Sequence, residues 1–282
     1  MKHHLMTSLA AGALLSLGAC QQPVGVQSAA TMAQNRLPLL QQAVAHPGRA
    51  PANLARDRYR HPVETLNFFE VDPSDTVVEI WPGGGWYTEI LGPYVATGGG
   101  KLFAASFGRG SPAIDKLKLA SPAIYGGVDY ADFPAFDANA VRVPDGTADV
   151  VLTFRNVHNW RMGARRDDNQ DYSAEAFRQM FAMLKPGGVL GVVDHRLPES
   201  ASDERERTSG YMKMSTVHRL AKEAGFQLAD ISEINANPKD TADWPDGVWT
   251  LPPALRLRDK DREKYLAIGE SDRMTLKFVK PR

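Results

Sequence analysis

The stretch EIWPGGGWYTEIL, residues 79–91, decides how this chain folds. It joins the apolar run Thr76-Val77-Val78-Glu79-Ile80 to a segment patterned as a helix, through three consecutive glycines. A glycine turn between a strand and a helix lets backbone N–H groups and the helix N-terminus approach a ligand closely. Gly83, Gly84 and Gly85 are therefore the first candidate binding residues.

Outward from this loop, strand and helix signals alternate. The patterns predict strands over 76–81, 101–105, 133–136, 149–154, 189–194, 227–234 and 274–279. Helices are expected over 86–94, 112–119, 174–184 and 216–224, with a helix pair over 53–71 broken near Pro62. Continuously apolar strands separated by helices indicate a parallel sheet covered on both faces. The expected fold is a doubly wound α/β domain with a mostly parallel seven-stranded sheet and a Rossmann-like order. In such sheets ligands bind beyond the carboxyl ends of the strands, where strand order reverses.

Which ligand the loop holds is narrowed by its spacing. Thr88 stands where a dinucleotide fingerprint has its third glycine, which leaves an NAD-linked oxidoreductase as a distant reading. No Gly-Lys-Ser/Thr ending follows, which excludes a P-loop. Lys+Arg and Asp+Glu number 33 each, so the charge balance gives no footprint for nucleic acid, and a small partner is expected.

Val77 to Gly85 resembles the first motif of the class I S-adenosylmethionine (SAM) methyltransferases, with Glu79, Gly83 and Gly85 matching and Trp81 in place of the first glycine. Three later stretches keep the family's order. Asp137-Ala138 precedes Val143-Pro144-Asp145-Gly146, and Asp149 follows Asp137 by 12 residues. Leu184-Lys185-Pro186-Gly187-Gly188 is similar to the family's turn into its fifth strand, and Glu223-Ala224-Gly225-Phe226 to its helix end. More narrowly, EIWPGGGWYTEIL, TFRNVHNW, VVDHR, GVWTLPP and GESDRMTLKFVKP together resemble a bacterial group described as predicted, often exported, methyltransferases.

The resemblance implies a SAM cofactor held by Glu79, Gly83, Gly84 and Gly85, with Asp137 and Ala138 on the adenine. Ser106 stands near the place of the acid that usually holds the ribose hydroxyls. Tyr59, in Arg56-Asp57-Arg58-Tyr59-Arg60-His61, is the candidate contact of a lid; a solvated helix face is the other reading.

Two constellations follow the fourth and fifth strands: Arg155-Asn156-Val157-His158-Asn159-Trp160 and Asp194-His195-Arg196. His158 and His195 are candidate general bases because imidazole titrates near neutral pH; a structural role for either stays open. Asn156 is expected to bind substrate and Trp160 to wall a pocket. His158, His195 and Asp194 are metal-ligand types, but no compact ligand spacing announces a site, so no metal is expected. Residues 235–273 form an insertion too long for an ordinary connection, expected to shape specificity or to pack as a surface arm.

The leader MKHHLMTSLAAGALLSLGAC has a basic start and an apolar run, the pattern of a signal peptide over residues 1–19. Leu17-Gly18-Ala19-Cys20 resembles the bacterial lipobox, which implies lipidation of Cys20, the only cysteine in the chain. Gln21 after it implies an outer-membrane anchor facing the periplasm. Residues 20–50 are expected as a lipidated start and tether with one helical segment, and 51–282 as the methyltransferase-like domain. The leading expectation is a SAM-dependent methyltransferase of the envelope acting on a small or lipid-like molecule. Its alternative is a binding module that keeps the scaffold without turnover, suggested by the missing ribose acid and the export signal.

Overall fold

A computed structural model describes residues 29–282, with side chains from 36 onward. The expected signal peptide and the lipidation site Cys20 lie outside the described residues. Among those described, no helix is long and apolar enough to cross a membrane.

The elements run in chain order as α1 (Ala29–Val44), α2 (Pro51–Leu54), α3 (Asp57–Arg60), α4 (Pro62–Phe68), β1 (Thr76–Ile80), α5 (Thr88–Gly98), β2 (Lys101–Ser106), α6 (Pro112–Ala120), α7 (Pro122–Tyr125), β3 (Asp129–Asp132), β4 (Ala148–Phe154), α8 (Val157–Arg161), α9 (Ser173–Met183), β5 (Leu184–Leu197), α10 (Asp203–Thr208), β6 (Met212–Lys213), α11 (Met214–Ala224), β7 (Gln227–Ser232), α12 (Arg262–Ile268) and β8 (Arg273–Val279). The sheet order is β3-β2-β1-β4-β5-β8-β7, with the two-residue β6 pairing the end of β5. Strands β3, β2, β1, β4 and β5 are mutually parallel, and β8 runs antiparallel between β5 and β7. The expected doubly wound α/β sheet is present, with seven strands on its main path.

Side-chain alternation along β1 divides the core. Val78 and Ile80 join the cluster with Phe177, Met180 and Leu220 under α9 and α11, while Val77 joins Leu66, Ile90 and Leu91 under α4 and α5. Each face thus buries a continuous apolar layer, the dominant favourable contribution to folding.

Two expectations are corrected. No strand covers 133–136; the third strand lies earlier, at Asp129–Asp132. The apolar Phe133 that suggested it is instead a core residue in a turn, followed by the cis peptide to Pro134. Nor does the tether reach residue 50. Helix α1 packs on α4 and α5, with Leu40 fully buried and Arg36 paired with Asp72 through Nε at 2.8 Å. The tether reading relied on composition, which does not register that Leu40 and Ala43 share one helix face.

Candidate functional site

Strand order reverses between β2 and β4 on either side of β1, and a cavity of about 340 Å³ opens at this rim. Its floor comes from the ends of β1 and β4: Glu79, Ile80, Phe154 and Arg155. Arg56 and Arg60 form one wall, His158 and His195 another, and Trp249 with Pro252 roofs it. The 235–273 insertion therefore closes the cavity with its 248–254 segment; its buried Trp244 packs edge-on against its own Tyr265, in a cluster with Leu197 and Tyr211 of the main domain.

Glu79 points from β1 toward α5, where Thr88 Oγ1 donates to its Oε2 at 2.6 Å. Burial pushes its carboxyl up to about 7, against the effect of the Thr88 bond. Gly83 and Gly84 are exposed in the cavity wall, and the φ of +58° at Gly83 is one that glycine adopts without steric cost. Gly85, at φ +79°, is buried, with Leu117 Cδ1 3.5 Å from where a Cβ would stand, and it does not line the cavity.

Strands β4 and β5 are neighbours, and they bring His158 and His195 to a ring separation of 5.1 Å. Between them Asp194, fully buried, accepts from the backbone N–H groups of His158 and His195 and bonds His158 Nδ1 at 2.8 Å. That contact orients the imidazole and leaves its Nε2 free for other chemistry, the arrangement of an Asp–His proton acceptor. His195 Nδ1 contacts Ser271 Oγ at 2.5 Å. Burial, together with the nearby His158, Arg273, Arg155 and Arg60, holds the His195 pKa well below 6.5 and its ring neutral.

His158, Asp194 and His195 each offer a ligand atom within 4.8 Å of the others. A cation there would meet the positive charge of Arg273, Arg155 and Arg60, which adds to burial and His158 in lowering the His195 pKa, so the electrostatics oppose a metal. Asn156 lines the cavity, but its amide NH2 donates to Ile80 O at 2.9 Å and Thr153 Oγ1 at 3.2 Å. It straps the ends of β1 and β4 together.

The remaining expected residues lie elsewhere. Trp160 is fully buried in the core between Trp81, Phe133 and Phe177, and the tryptophans that line the cavity are Trp81, Trp86 and Trp249. Tyr59 faces a different crevice with Asn235 and Ser271, while Arg56 and Arg60 on either side of it face the cavity. Asp137 is exposed in a second cavity of about 300 Å³ with Phe107, Asp132 and Phe136, and Ser106 and Ala138 line neither.

Trp81 separates the two cavities. It lines the first, and its indole packs edge-on against Phe107, which lines the second, at 6.4 Å. Its Nε1–H donates to Phe133 O at 2.8 Å across the ends of β1 and β3. The backbone there has φ +49°, unfavourable for a bulky residue.

No family model and no curated protein matches this sequence. Solved structures do match its shape. A SAM-dependent methyltransferase from Aquifex aeolicus is 14% identical, with 86% of this chain and 97% of that one covered and a TM-score of 0.50. The [4+2]-cyclase SpnF is 17% identical over 89% of this chain and 95% of its own, with a TM-score of 0.51. Phosphoethanolamine N-methyltransferase 2 of Haemonchus contortus, solved in complex with SAM, is 16% identical over 87% and 57%, with a TM-score of 0.50. This is the class I methyltransferase fold. A cyclase among the neighbours shows that the methyltransferase fold does not fix the reaction, which must be argued from the site.

The SAM cofactor that the fold implies can be tested against the residues present. At the methionine end they fit: Glu79 is a desolvated carboxylate without a cationic partner, beside the open backbone of Gly83 and Gly84. At the nucleoside end Asp137 and Phe107 offer an acceptor and an aromatic face, but the Trp81 indole stands between them and Glu79.

Proposed function

We propose that the chain is a SAM-dependent methyltransferase acting on a small or lipid-like molecule, and that it belongs to the exported bacterial group and works at the cell envelope. The observation that carries the activity is one cavity that holds both Glu79 with the glycine loop and the Asp194-oriented His158. When bound, SAM supplies an activated methyl group, and alignment contributes much of such catalysis. Glu79, Gly83 and Gly84 would hold its methionine end, with Asp137 available to the adenine once Trp81 turns aside. His158 takes a proton from an acceptor that must lose one, and the roof of Trp249 and Pro252 limits water. The envelope reading rests on the lipobox resemblance at Cys20, and no nucleic-acid partner is proposed.

The test is transfer of radiolabelled methyl groups from SAM into extracts of the source cell. Transfer supports the proposal; none, together with no heat of SAM binding by calorimetry, overturns it. A second reading is favoured by Trp81 and Ser106: a binding module without turnover, for which SAM binding without transfer is the expected result.

Glu79 gives this proposal a pH signature. A carboxyl held near 7 is half protonated at neutral pH, whereas an ammonium ligand binds its ionised form. SAM binding is therefore expected to tighten as pH rises through about 7 and to release a proton, read by calorimetry in buffers of different ionisation enthalpy. In the Glu79→Gln variant that proton release disappears. Without ligand the sign reverses. Because the folded pKa lies above the ordinary 4.5, stability falls as pH rises from about 4.5 to about 7.

A further inference from the structure

The wall of Arg56 and Arg60, with Arg155 of the adjoining floor, carries more positive charge than its surroundings balance. Glu270 is the carboxylate that acts on all three and on Arg273 behind them. It accepts from Arg56 Nε at 2.6 Å, Arg60 Nε at 3.1 Å and Arg273 Nη2 at 2.5 Å. Those bonds leave both Nη atoms of Arg60, Nη2 of Arg56 and Nε of Arg273 buried without a hydrogen-bond partner. Arg60 is 2% exposed and lines the cavity, so what meets its donors must come from inside it. Burial, with the charge of Arg155 next, pushes Arg60 down to about 8, and burial with Arg273 pushes Arg155 down to about 10. Unpaired buried guanidinium donors are costly, and planar N–H forks match carboxylate and phosphate oxygens.

The cofactor does not supply the missing charge. SAM carries a sulfonium and an ammonium against one carboxylate, so its arrival adds one positive charge to the cavity. From these observations we infer that the methyl acceptor is an oxyanion, a carboxylate or phosphate ester, whose charged group docks on Arg56, Arg60 and Arg155 while its nucleophile faces His158. This rests on the methyltransferase reading for the word acceptor, but the oxyanion site itself does not.

The experiment titrates inorganic phosphate, and separately acetate, into the full chain with and without saturating SAM, following melting temperature and calorimetric heat. Phosphate or acetate raises the melting temperature, the stronger of the two identifying the acceptor's group, and binding persists with SAM present. Arg155→Met, which removes no hydrogen bond of Glu270, weakens that binding by about tenfold or more, the loss of one charged contact. Arg60→Met does the same if it folds, and Lys185→Met, on the opposite rim, leaves binding unchanged. No shift with either anion, an equal shift in Arg155→Met, or full competition between anion and SAM overturns the inference, the last by assigning the arginines to the cofactor's own carboxylate. SAM heat measured alone keeps failure here distinct from failure of the methyltransferase reading.

Discussion

Replacing Trp81 with glycine is expected to strengthen SAM binding by about tenfold or more while lowering stability by roughly 2–4 kcal/mol. The two effects share one cause. For Asp137 and Glu79 to contact a single ligand, the indole must leave its hydrogen bond to Phe133 O and its edge contacts with Phe107 and Trp160. A hydrogen bond contributes about 1 kcal/mol and an aromatic pair about 0.5–1.5 kcal/mol. The open state is then a small fraction of the population, and apparent affinity falls by that fraction. Glycine removes the obstruction and accepts φ +49° without strain, which returns part of the lost stability. Calorimetric titration beside a melting curve checks both. An unchanged affinity in a folded variant would show that the indole does not stand in the ligand's way, and would favour a ligand confined to the first cavity.

Glu270→Gln is expected to cost roughly 3–5 kcal/mol, because removing one partner of a buried ion pair leaves the other uncompensated. Here several guanidiniums lose their counter-ion together. Burial opposes ionisation of Glu270, but Arg273, Arg60 and Arg56 outweigh it and hold its pKa at about 2. The folded value lies below the ordinary 4.5, so this stabilisation is present above pH about 4.5 and lost as pH falls toward about 2. Urea unfolding at neutral pH reads the loss directly. In acid, the difference in stability between the native chain and Glu270→Gln should shrink through that window; a constant difference would mean that Glu270 acts by packing alone.

Much of the sheet was legible because its signals are local. The run before Gly83, the 12-residue step from Asp137 to Asp149 and the Leu184–Gly188 turn each lie within one short stretch, and they ordered β1, β4 and β5 correctly. From that order the meeting of His158 with His195 followed. The arginine wall was not legible in the same way. Arg60 finds its partner Glu270 at a separation of 210 residues, and no periodicity reports a contact of that kind. One signal was available: Arg56 and Arg60 are four apart and so share a helical face, although Tyr59, three from Arg56, satisfies the same rule and yet faces the other crevice. Trp81 was visible as a departure from the glycine pattern. Its direction depended on Phe133 O, which the strand expected at 133–136 had placed in a ladder rather than in a turn.

The ionic knot at Glu270 also bears on how the molecule is made. It joins α3, near the start of the domain, to β8, so Arg56 and Arg60 are synthesised more than 200 residues before their counter-ion. A chain emerging from the ribosome holds these like charges with no counter-ion until residue 270 appears. The charge balance of the cavity wall is thus set by a residue outside the cavity, and a product cut short before residue 270 carries its own mark of incompleteness: Arg56 and Arg60 without their counter-ion.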